Sequence, residues 1–145
     1  MLRVTKLTDY ATVLLACLAK SPNRVFSASS LAEQAKLEVP TVSKVLKPLS
    51  RAGLVEAFRG SQGGYRLAKP AAQISLYAVV EAMEGRLGMT ECSGEHSLCE
   101  HEPHCGIQGQ WQKVNDVIAN ALQSVSIAEL GGRPHKSIPL KLAKA

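Results

Sequence analysis

Three cysteines stand close together in the stretch Thr90-Glu-Cys-Ser-Gly-Glu-His-Ser-Leu-Cys-Glu-His-Glu-Pro-His-Cys-Gly106, at the spacing C-x6-C-x5-C. Thiols at that density hold a soft metal or carry out redox chemistry. Zinc sites are usually built on short C-x2-C pairs, which this stretch lacks. Its wider gaps suit a loop wrapped around a larger object, such as an iron–sulfur cluster on Cys92, Cys99 and Cys105. His96, His101 and His104 lie among the cysteines, so on spacing a Cys3His zinc site stands level with a cluster. A metal-free thiol switch ranks third. A catalytic cysteine ranks below it, because the rest of the chain offers no scaffold for an active site, and the chain does not read as an enzyme.

The fourth cysteine, Cys17, belongs elsewhere. Arg3 and Lys6 precede an apolar run whose Leu14-Leu15-Ala16-Cys17 resembles a lipoprotein cleavage box. The uncharged run begins only after Asp9, however, and is short both for a signal core and for a membrane span. Leu7, Ala11, Leu14, Leu15 and Leu18 share one face of a helix instead. Cys17 is therefore expected as a core thiol, in a cytoplasmic protein with reduced thiols and no membrane association.

Charge separates the chain into regions. Residues 1–70 carry 11 Lys and Arg against 4 Asp and Glu, residues 71–130 carry 2 against 8, and residues 131–145 carry 4 against none. A basic first half is the footprint of a nucleic-acid contact surface. The elements there agree. A first helix is expected over about Thr8–Ala19, with Thr8 as N-cap and Asp9 suited to the positive helix end. Ser27-Ala-Ser-Ser30 leads into a second helix, Leu31–Lys36, and a third begins near Pro40. Leu31, Ala32, Ala35, Leu37, Val42 and Val45 have helix-turn-helix spacing, with Lys36 where glycine often makes the turn. Pro48 should kink the third helix or begin its end, and Gly53 should close it.

Leu54–Phe58 and Tyr65–Ala68 flank the Gly-rich Arg59-Gly-Ser-Gln-Gly-Gly64, which predicts a hairpin in the position of a wing. No Gly-Lys-Ser/Thr follows, which argues against a phosphate loop. Ser75 should cap a fourth helix, Leu76–Glu84, ended by Gly85. After the cysteines, Ile107, Trp111, Val114, Ile118, Leu122 and Val125 form one apolar stripe on a long helix over about 107–125, read as a dimer interface. The expected organisation is a DNA-binding domain over 1–84, a cluster-binding loop over 85–106, a dimerisation helix over 107–130 and a basic, disordered tail over 131–145. The fold class is mainly α with a small β-hairpin: a winged helix-turn-helix plus a long C-terminal helix.

Several motifs together carry a family resemblance over residues 1–130: Leu7-Thr-Asp-Tyr-Ala11, Ala52-Gly-Leu-Val55, Arg59-Gly-x-x-Gly-Gly-Tyr-x-Leu-Ala68, the three cysteines and Ser126-Ile-Ala-Glu-Leu130. In these the chain resembles the winged-helix iron–sulfur transcription regulators of the IscR and NsrR type. Its Cys105-x-Ile-x-x-x-Trp111-x-x-Val-Asn-x-x-Ile118 is most similar to regulators of the SUF cluster-assembly operon. The resemblance implies a homodimeric, cytoplasmic repressor that binds a double-stranded operator and carries a [2Fe–2S] or [4Fe–4S] cluster on Cys92, Cys99 and Cys105. The fourth ligand departs from one branch of the family, which places His where this chain has Gln108. Asp9 matches the ligand of another branch, donated across the dimer, with His104 and His101 as rivals. Nitric-oxide sensing is the alternative within the family, and a zinc-stabilised DNA-binding or interaction protein the alternative outside it. On either route Thr41, Ser43, Lys44 and Lys47 face DNA from the third helix, while Arg59, Ser61 and Gln62 do so from the wing.

Overall fold

A computed structural model describes residues 3–90, 99–100 and 104–132. The fold is mostly helical with one small antiparallel sheet, in the order α1 (Lys6–Ala19), α2 (Ala28–Ala35), α3 (Val39–Arg51), β1 (Val55–Phe58), β2 (Gly64–Leu67), a 3₁₀ turn (Ala71–Gln73), α4 (Leu76–Glu84), α5 (Gln108–Gln123) and α6 (Ile127–Gly131).

α1 starts earlier than its sequence signals indicate. The N-cap is Thr5, whose hydroxyl accepts from the Thr8 amide. Thr8 is a buried residue of the first turn, and its hydroxyl is used elsewhere. α2 likewise begins before Leu31, because Ser27 caps it by accepting from the Ser30 amide. Lys36 does make the turn: it adopts φ 57°, the only non-glycine with positive φ among the described residues. Its amide bonds the Glu33 carbonyl and the Leu37 amide bonds that of Ala32, the paired bonds of a Schellman end. α3 ends in the same way around Gly53 at φ 69°, with Gly53 bonded to Ser50 and Leu54 to Leu49. Pro48 begins the end of α3, which continues only to Arg51. It lies in the last turn, where the helix stops soon after the missing N–H.

β1 and β2 pair from Val55 opposite Leu67 to Phe58 opposite Gly64. A third backbone segment joins them: Phe26 and Tyr65 exchange both amide–carbonyl bonds, at 2.9 and 2.8 Å. This explains Gly64, since a side chain there would collide with the Phe26 carbonyl.

The core gathers Leu14, Leu15 and Leu18 from α1, Leu31 from α2, Val42, Val45, Leu46 and Leu49 from α3, Leu54, Val55 and Leu67 around the sheet, and Ile74 and Val79. Cys17 is buried with them as a free thiol. Ile127, from far along the chain, is fully buried in the same cluster. It arrives there because Ser75 and Ser126 form a β-bridge: the Leu76 amide bonds the Val125 carbonyl at 2.8 Å and the Ile127 amide bonds that of Ile74 at 2.9 Å. The helix expected over about 107–125 is α5, ending at Gln123, but the segment expected as a dimerisation helix over 107–130 also holds a separate α6 that returns to pack on α1. A capping box starts α6, with Glu129 accepting from both the amide and the hydroxyl of Ser126.

Candidate nucleic-acid interface and cysteine segment

The residues expected to meet DNA are exposed, apart from half-buried Thr41. The core side of α3 is Val42, Val45, Leu46 and Leu49, and its opposite side carries exposed Ser43, Lys44 and Lys47, with Thr41 half-buried at the flank. At the hairpin tip Arg59, Ser61 and Gln62 are all exposed. Gly60 takes φ 105° to turn that tip, and its carbonyl accepts from the Gly63 amide at 3.0 Å. Arg66, also on the wing, is already engaged. It pairs with Glu56 at 2.7 Å and lies over the Phe58 ring, 5.0 Å from its centroid. Arg59 has no ion pair among the described residues, so its charge is available to a phosphate or a narrow groove.

The cysteine segment leaves α4 and enters α5. Cys99 and Cys105 are half-buried free thiols. Cys92, His96 and His101 lie outside the described residues. Among the described residues, no group of three His, Cys, Asp or Glu is gathered for a metal ion. His104 is exposed, and Gln108 opens α5. Asp9 is exposed in the first turn of α1 and lines a shallow hollow with Arg3, Val4, Thr5 and Lys6.

Two polar contacts fix the near end of this segment, and neither was expected from sequence. Glu84, the last residue of α4, accepts from the Thr5 amide at 2.8 Å and from the Thr8 hydroxyl. These bonds hold its carboxyl below the usual glutamate range, the Thr8 hydroxyl contributing most and the Thr5 amide next. The α1 N-terminus, with Asp9, is thereby tied to the point where the cysteine segment begins. Beyond it Asn115, the one buried residue of α5, accepts from the Met89 amide at 3.3 Å. A polar residue in an apolar stripe was the only sequence signal of that contact. The first half of the α5 stripe is open: Ile107, Trp111 and Val114 are 59%, 39% and 43% exposed, whereas Ile118 and Leu122 are half-buried.

No helix among the described residues is long and apolar enough to cross a membrane. The family described as Rrf2, iron-dependent transcriptional regulator, matches residues 4–133. Protein aau3 of Rhizobium meliloti strain 1021 is 34% identical over 131 residues, covering 89% of this chain and 84% of its own. The solved structure of CymR, the global cysteine regulator of B. subtilis, superimposes with TM-score 0.70 at 25% identity, over 90% of this chain and 97% of that one. T. potens IscR does so with TM-score 0.65 at 27% identity, over 89% and 85%. The matched family is one of transcriptional regulators, not enzymes. With a winged helix-turn-helix, exposed basic residues on α3 and on the wing, and a family match over nearly its whole length, this chain belongs to the Rrf2 family of helix-turn-helix transcriptional regulators.

Proposed function

We propose that the chain is a homodimeric repressor whose grip on its operator is set by an iron–sulfur cluster on Cys92, Cys99 and Cys105, and that it governs genes of SUF-type cluster assembly. The observation that carries this reading is the pair of free, half-buried thiols Cys99 and Cys105 on the segment between α4 and α5. They belong to a chain of a family described as iron-dependent. Soft thiolates are the donor set a cluster requires, so the residues present fit the group. Asp9 is the preferred fourth ligand, since its carboxylate is exposed and its helix end is tied to the start of the same segment. Bound there, a cluster supplies a group that iron shortage, oxygen or nitric oxide can remove.

The chain's own residues carry the consequence to DNA. Glu84 links the start of the cysteine segment to α1, and α1 packs on α2 and α3. In the dimer the open stripe of Ile107, Trp111 and Val114 on α5 is the surface buried against the partner. A shift of α1 changes the separation of the two recognition helices, which must match the half-site spacing. Thr41, Ser43, Lys44 and Lys47 read and grip the major groove, while Arg59, Ser61 and Gln62 hold the flanking groove and backbone.

The test is the visible spectrum, iron and acid-labile sulfide of protein purified without oxygen. A coloured, iron- and sulfide-containing protein is expected. The colour should vanish on alanine substitution of Cys92, Cys99 or Cys105 and survive Cys17→Ala, since Cys17 is buried in the core. Colourless protein with stoichiometric zinc would replace the cluster by a structural zinc site. A spectrum bleached by nitric oxide at far lower dose than by oxygen or iron chelation would move the signal to nitrosative stress.

A further inference from the structure

The outward face of α3 is polar or cationic except at its very start. Val39, the first residue of the helix, is 42% exposed, and Pro40 beside it is also exposed. A single exposed apolar side chain is ordinary on a protein surface. The place of this one is not. Side chains in a helix lean toward its N-terminus, so at the first position the valine reaches past the helix end. Recognition helices enter the major groove with that end foremost. Ser43 lies one turn further on, on the same side, and Lys44 and Lys47 are exposed behind it, where they can meet phosphates. The corner itself is unsuited to a phosphate. Pro40 has no N–H, and Glu38, just before the helix, is an exposed carboxylate that makes no capping bond. An isopropyl group carried to the groove floor can form no hydrogen bond. The apolar group that the floor offers is the C5 methyl of thymine.

We propose that Val39 is a specificity-determining residue that packs on a thymine methyl in each half-site of the operator. The inference rests on α3 being the helix that enters the major groove. The full-length protein selects duplexes from a random library, and the enriched site is remade with deoxyuridine replacing each thymidine in turn, which removes only the methyl. At one thymine per half-site, the wild type should lose about fourfold in affinity, the ratio that burial of one methyl-sized group corresponds to. At that position Val39→Ala should bind the two duplexes equally, and Val39→Ile should restore the difference. Helical circular dichroism and binding to a non-cognate duplex should be the same for all three proteins. A methyl effect of unchanged size in Val39→Ala would overturn the proposal. So would a site with no methyl-sensitive thymine, or an effect abolished by Thr41→Ser instead. Failure to enrich any sequence would overturn the reading of α3 as a DNA reader, and this proposal with it.

Discussion

Ile127 offers a sharp test of how the chain is assembled. It lies far along the sequence, beyond the cysteines and the long helix, yet it is fully buried in the core of the winged-helix region. Ile127→Ala removes three carbons from that core, worth about 2.4 kcal/mol at about 0.8 kcal/mol for each buried methyl or methylene group. A cavity penalty adds to this, because backbone bonds from Leu76 to Val125 and from Ile127 to Ile74 hold α6 in place and limit collapse into the space. A loss of about 3–4 kcal/mol results, a large part of the roughly 5–15 kcal/mol that stabilises a typical domain. Leu130→Ala is the control. Leu130 is on the same short helix but 47% exposed, and should lose less than about 1 kcal/mol. Urea unfolding of the full chain, followed by far-ultraviolet dichroism at several protein concentrations, measures both. A concentration-independent drop in midpoint at constant slope is expected for Ile127→Ala. Stability within about 0.5 kcal/mol of wild type would refute the placement of α6 in the core. A loss that grew on dilution would place Ile127 in a seam between subunits instead.

Three further outcomes follow from the geometry. Lys36→Gly should stabilise the protein by about 1 kcal/mol, because it relieves a left-handed conformation in a residue with a Cβ, whereas Lys36→Ala keeps the strain and should give no gain in thermal unfolding. Glu84→Gln should weaken the tie between α4 and α1 by no more than about 1 kcal/mol, because the group is exposed and solvent screens it. Since folding lowers the Glu84 pKa, its contribution is complete above the ordinary value of 4.5 and fades as pH falls through the lower folded value. The wild-type and Glu84→Gln melting temperatures should thus differ at pH 7 and converge in acid, and a constant gap would refute the linkage. Ile118→Glu places a charge beside the open α5 stripe and should give monomers by sedimentation, while an unchanged dimer would move the interface off α5.

Local chemistry made much of the fold legible in the sequence. The periodic leucines and valines of α1, α2 and α3, the Ser75 cap and Gly85 stop of α4, and the glycines of the wing each act within one turn or one hairpin, so their signals lie in neighbouring residues. The exposed residues of α3 and the wing tip were legible for the same reason, since amphipathic spacing sets which side faces out. The three cysteines marked a metal or redox segment by type and spacing, but which of the two, and which metal, spacing alone leaves open. Even the start of α6 was written locally, as Ser126 followed three residues later by Glu129, but the dimerisation helix expected over 107–130 ran through it. Only the tertiary structure decided what depends on residues distant in the chain. Thr5 rather than Thr8 caps α1, and the Thr8 hydroxyl goes instead to Glu84, far along the chain. Gly64 is required by the approach of the Phe26 backbone, and Asn115 is buried because it meets Met89. Ile127 joins a core assembled from α1 to α4. In each case the deciding partner is brought close only by folding, and a sequence window carries no record of a contact whose two halves lie so far apart.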